Sequence, residues 1–170
     1  MISDLTYKVL ALPGNIQLDS VECIDWAIEM LNLGYYTPNL NRLSKCNDTI
    51  SYFEIQPILK NAIKELGLHF RYEENGVISY IYYYVKKITE NKDVKQNLKK
   101  IVTLYDAHYT EEKINDFFFL YWAWKDIDYD NSNFNHYWEG ANKSNIENIV
   151  IEEAIKWLAK NEKHSIQLSI

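Results

Sequence analysis

The chain has 170 residues, with 24 acids against 18 bases, a net charge of −6, 47% hydrophobic residues and 25% charged ones. This length fits one domain with a sizeable core, and the composition excludes disorder. Five Gly and three Pro are few for turn-rich sandwiches and barrels, and two cysteines argue against a disulfide framework or a Cys-based zinc site. The acidic balance argues against nucleic acid as the main partner.

Residues 1–18 carry an apolar patch at 9–12 that is too short for a signal peptide, and Asp4 stands where a positive start is expected. No stretch approaches the roughly 18 apolar residues of a membrane span. The expected location is therefore the cytoplasm, with Cys23 and Cys46 reduced.

Helix signals then recur. Asp19 and Glu22 form a potential capping box ahead of Val21, Ile24, Ile28 and Leu31 at helical spacing, with Gly34 as the stop, which predicts a helix over 20–33. Thr37-Pro38 reads as an N-cap and first helical residue, opening a short helix over 38–45. Ser51 and Glu54 cap the next, whose stripe from Ile55 to Leu66 ends at Gly67. Pro57 lies inside that stripe and predicts a kink or a later start, since it lacks an N–H and clashes with the carbonyl of Phe53.

The stretch 77–88 is rich in β-branched and aromatic residues, which favour a strand. However, Ile78, Ile81, Tyr82, Val85 and Ile88 keep helical spacing, and the reading here is helix. Asp93 with Gln96 caps a helix over 94–107, and Thr110 precedes one over 111–125 carrying Ile114, Phe117, Phe118 and Tyr121. Residues 126–143 read as a polar loop with a turn of helix at Tyr137 and Trp138. Ser144 and Glu147 cap a last helix over 145–160, and 161–170 reads as a loose tail. The expected fold class is all-α: one domain over 1–170, built as an irregular antiparallel helical bundle or a short α-solenoid of about seven helices.

Few patterns carry chemistry. Asp126, Asp128, Asp130 and Ser132 occupy alternate positions, as in a calcium loop whose oxygens wrap one hard cation. Asn131 stands where that loop needs glycine, and Tyr137 where it needs a bidentate carboxylate. The reading is a solvated acidic loop. Asp106 and His108 could share a metal or form an acid–base pair with Glu111 or Glu112, but residues two apart rarely face each other on a helix. His136 and Glu139 are three apart, which matters only on a helix. Phosphate-binding, dinucleotide and nucleophile-elbow motifs are absent, and no cofactor or metal is expected. Cys23 reads as a small core group.

Two distributions are more informative. Phe117, Phe118, Phe119, Tyr121, Trp122, Trp124, Tyr129, Phe134, Tyr137 and Trp138 crowd 117–138, and consecutive helical residues point all round. Either this helix is central, the more ordinary arrangement, or some rings reach a surface and form a binding face. Charge is segregated as well: 86–100 carries six Lys against two acids, and 106–153 carries eleven acids against three Lys. A field of that sign repels nucleic acid and attracts basic proteins.

The segments "DWAIEMLNLGYYTPNLNRLS" (25–44), "LKNAIKELGL" (59–68), "LYDAHYTEEKINDFFFLY" (104–121) and "IEEAIKWLAK" (151–160) resemble small all-helical bacterial proteins of the polymorphic-toxin neighbourhood, among them immunity proteins. The skew of 16 Lys to Arg42 and Arg71, with abundant Ile, Asn and Tyr, reads as the codon bias of an AT-rich genome and also points to a bacterial source. The matching positions, among them Trp26, Leu31, Gly34, Leu43, Leu66, Tyr105, Ala154 and Trp157, are packing and capping positions, so no site residue carries over.

The resemblance implies a small, non-enzymatic protein that binds another protein. Joined to the charge map, the expected partner is a basic toxin domain such as a nuclease, with neither nucleic acid nor membrane as partner and no oligomeric state assigned. The expected contact residues are Asp116, Trp124, Asp126, Asp128, Tyr129, Asp130, Tyr137, Trp138 and Glu139. Two alternatives stand beside this: a helical-repeat scaffold or adaptor, and a metal-dependent enzyme using Asp106, His108 and the 126–130 carboxylates.

Overall fold

The computed structural model describes residues 1–12, 18–104, 111–130 and 134–168, with the side chains of Leu12, Glu111 and Asp130 outside the description. It is an all-α helical bundle, with 66% of the described residues helical and eight α-helices among them. In chain order these are α1 (Leu5–Val9), α2 (Ser20–Asn32), α3 (Pro38–Leu43), α4 (Tyr52–Glu65), α5 (Glu73–Thr89), α6 (Val94–Val102), α7 (Glu111–Asp130) and α8 (Ile146–Lys160), followed by a 3-10 turn at Glu162–His164. The chain divides into two compact units. One is Met1–Tyr80 with His164–Ile170, the other Ile81–Lys163, and the boundary falls within α5.

In the first unit, α2, α3 and α4 pack on one another around Trp26, Met30, Leu40, Leu43, Ile55 and Leu59, all fully buried. The sequence explains the helix starts. Asp19 Oδ1 accepts the Val21 N–H at 3.1 Å, and Thr37 Oγ1 accepts the Leu40 N–H at 3.3 Å with Pro38 behind it. Glu22 does not return the expected bond to its cap; it pairs instead with Lys8. Gly34 and Gly67 stop their helices at φ +90° and +69°, a left-handed backbone that a side chain would strain. Pro57 sits inside α4, which opens at Tyr52 all the same, so the later start does not occur.

Two elements escape helical periodicity. The five-residue α1 is too short to show a period, yet all of it is buried. Its Thr6 Oγ1 accepts the Trp26 indole N–H at 3.0 Å and so satisfies the only polar atom of the buried indole. After it, β1 (Ala11–Leu12) runs parallel to β2 (Arg71–Tyr72), with Arg71 N–H donating to Leu10 O at 2.7 Å. Two residues near the C-terminus bond to this unit: Arg71 Nη1 donates to His164 O at 2.9 Å, and Ile166 N–H donates to the Tyr7 hydroxyl at 2.9 Å.

In the second unit, α6, α7 and α8 pack pairwise. Trp157 of α8 meets Tyr82 edge-on at 5.9 Å and Phe117 at 6.4 Å, and its indole N–H donates to Lys113 O at 2.8 Å. Helix α6 ends at Val102 rather than 107, and Asp93 does not cap it through its side chain; its backbone is left-handed, at φ +42°. Helix α8 starts behind Asn145 rather than Ser144.

Candidate functional site

Helix α7 sorts its aromatic run into buried and exposed rings. Ile114, Phe117, Leu120, Ala123 and Ile127 form one buried stripe. Phe119, Trp122, Asp126 and Tyr129 follow each other at intervals of three and four, which places them on one face of the helix. Trp122 is 37% exposed and Tyr129 91%. The helix is thus not buried all round, and the rings do reach a surface. The all-round burial belongs to α5, where every residue from Val77 to Tyr82 is buried, together with Tyr84, Val85 and Ile88.

The polar loop expected from 126 does not begin there. Helix α7 runs through Asp130, because Ile127 continues the buried stripe beyond Ala123. The calcium-loop pattern fails for that reason: on a helix, residues two apart point away from each other, so Asp126 and Asp128 cannot wrap one ion. Ser132, Asp106 and His108 lie outside the described residues, as does the side chain of Asp130. Among the described residues no three His, Cys, Asp or Glu side chains gather as a metal site.

Past α7, a loop is folded by one asparagine. Asn135 Oδ1 accepts the N–H groups of Tyr137 at 3.0 Å and Trp138 at 2.7 Å, and its Nδ2 donates to Trp138 O at 3.0 Å and Ala141 O at 2.9 Å. This Asx turn replaces the helical turn expected at Tyr137 and Trp138. The loop is clipped to α7 by His136 N–H, which donates to Asp126 Oδ2 at 3.2 Å. The clip sets Tyr137 against Trp122, ring centres 6.3 Å apart. Phe134, 63% exposed, meets His136 edge-on at 4.7 Å.

The expected contact residues therefore separate by role. Tyr129, Tyr137 and Glu139 are exposed and free to meet a partner. Asp126 is spent on the loop, and Asp128 pairs with Lys95. Trp124 is half-buried with the Lys95 ammonium 5.6 Å over its ring, and Trp138 is half-buried with its backbone held by Asn135. Asp116 is not part of this cluster. It lies ten residues, roughly 15 Å of helix, before Asp126. It lines instead a groove of about 300 Å³ between α7 and α8 with Glu112, Glu153, Lys156 and Trp157. There Glu153 accepts a hydrogen bond from Lys156 at 2.6 Å and holds the ammonium above its ordinary range.

Sequence reasoning named Phe119, Trp122 and Phe134 in the aromatic crowd but not among the contact residues, and it passed over Asn135. The three-and-four spacing of 119, 122, 126 and 129 was a readable signal for the first two, whereas the work done by Asn135 is visible only in three dimensions. No protein-family model, curated protein or solved structure matches the chain. No helix among the described residues is long and apolar enough to cross a membrane.

Proposed function

We propose that the protein is a non-enzymatic protein-binding module that neutralises a basic toxin domain, in the manner of an immunity protein. The observation that supports this reading is the set of exposed rings on α7 and the loop after it, Trp122 against Tyr137 with Tyr129 and Phe134 exposed nearby in sequence, the loop held by Asp126 and Asn135, inside a segment, 111–139, that carries seven acids against two lysines. Rigid aromatic rings are the usual anchors of protein interfaces, and monomeric surfaces rarely gather several of them without a partner. The surrounding acidic field would speed encounter with a basic surface, and Glu139 would meet a Lys or Arg of the toxin's phosphate-binding cleft. Co-expression with the product of the adjacent gene tests the reading. A stable complex that restores growth is expected; absence of both overturns it.

A further inference from the structure

The second unit also holds a basic groove between α6 and α7, which does not rest on the protein-binding reading. Lys95 and Lys99 lie four apart on α6, and Tyr121 and Lys125 four apart on α7, so each pair shares a helix face. The two helices pack together, and these four residues with Gln96 line a groove of about 140 Å³. Three ammonium groups, an amide and a phenol are nearly all donors, and no carboxylate is among the lining residues.

The charge in the groove is not cancelled from within. Lys95 pairs with Asp128 and lies over Trp124, which fixes it at the rim. Among the described residues neither Lys99 nor Lys125 pairs with a carboxylate. Like charges brought together in a concavity raise the local potential and favour an anion.

We propose that this groove is a binding site for a compact, multiply charged phosphate such as a pyrophosphate group. Its volume is well below the roughly 300–1,000 Å³ of pockets that hold a drug-sized organic ligand. The ligand is therefore the phosphate polyanion itself rather than a nucleoside. Lys99 and Lys125, one from each helix, offer two ammonium groups without a carboxylate partner, and Lys95 stands beside them already paired with Asp128; two such donors match the several oxygens of one phosphate polyanion.

Isothermal titration of the whole protein with sodium pyrophosphate at low ionic strength tests the site, with sodium orthophosphate and a short single-stranded oligodeoxynucleotide as comparisons. Saturable pyrophosphate binding is expected, weakened about tenfold or more in each of K99A and K125A, since a charge-assisted hydrogen bond carries about one decade of affinity. K45A, an exposed change in the first unit, should bind as wild type. These lysines are exposed, and an unchanged circular dichroism spectrum will show that the variants fold. No saturable binding at millimolar pyrophosphate, undiminished binding in K99A and K125A, or tighter binding of the oligonucleotide than of pyrophosphate would each overturn the proposal.

Discussion

The rings of Trp122 and Tyr137 lie 6.3 Å apart, one on α7 and the other on the loop that follows it. What brings them together is polar. Asp126, one turn beyond Trp122, accepts the backbone N–H of His136, the residue before Tyr137. The aromatic patch thus depends on groups that contribute no apolar surface themselves.

Asn135→Ala should therefore loosen the patch without unfolding the helices. It removes both acceptor and both donor contacts of the Asx turn. The expected loss in stability is about 1–3 kcal/mol, the range for breaking a partly buried hydrogen-bond cluster. Intrinsic fluorescence should report it as a change in the Trp122 environment. Proteolysis within 134–141 should become faster while the far-ultraviolet dichroism stays that of the wild type.

Tyr129→Ala separates binding from folding. The side chain is almost fully exposed, so stability should move by no more than about 0.5 kcal/mol in urea unfolding. If the aromatic patch is the interface, affinity for the protein partner should drop about 30-fold or more, the scale of an interface hot spot. A complex as tight as the wild type's would remove Tyr129 from the interface.

Thr6→Val tests the first unit's core. The substitution keeps the shape but leaves the fully buried Trp26 indole N–H without its acceptor. Such an orphaned donor costs about 1–3 kcal/mol, which the urea midpoint will show. Thr6→Ser retains the hydroxyl and should cost less than the valine.

Cys23 gives a pH prediction. Burial, and secondarily the neighbouring carboxylates of Glu22 and Asp19, push its thiol from 9.0 up to about 12. The native state holds this proton more tightly than the unfolded chain does. The resulting stability is fully present below pH 9 and is lost between pH 9 and 12, as the unfolded thiol ionises first. Urea midpoints should fall more steeply over that window in the wild type than in Cys23→Ala. A thiol reagent at pH 8 should modify Cys46 and leave Cys23 untouched until the protein unfolds.

Much of the helix pattern was legible because local chemistry and packing agree in it. Asp19, Thr37-Pro38 and the two glycine stops mark ends that tertiary structure did not alter. Disagreement arose where composition and burial pointed apart. The acids at 126, 128 and 130 look like a loop, yet Ile127 needed the core and carried the helix through them. The aromatic density of α7 suggested a central helix, but burial is decided by neighbours on every side, and α5 has them. The candidate site was half legible: Tyr129, Tyr137 and Glu139 could be named from charge and ring content, whereas Asp126 and Asp128 are committed to His136 and Lys95 by contacts no local pattern encodes.

The bond from Ile166 to Tyr7 sets an order of events during synthesis. The first unit takes in both Met1–Tyr80 and the residues from His164 onward, while the second is one unbroken stretch between them. A ribosome adding about 5–20 residues per second needs on the order of ten seconds to cross that stretch. For that interval residues 1–80 wait for the segment that brings the Ile166 N–H to the Tyr7 hydroxyl. The first unit thus cannot be completed until the second has been synthesised.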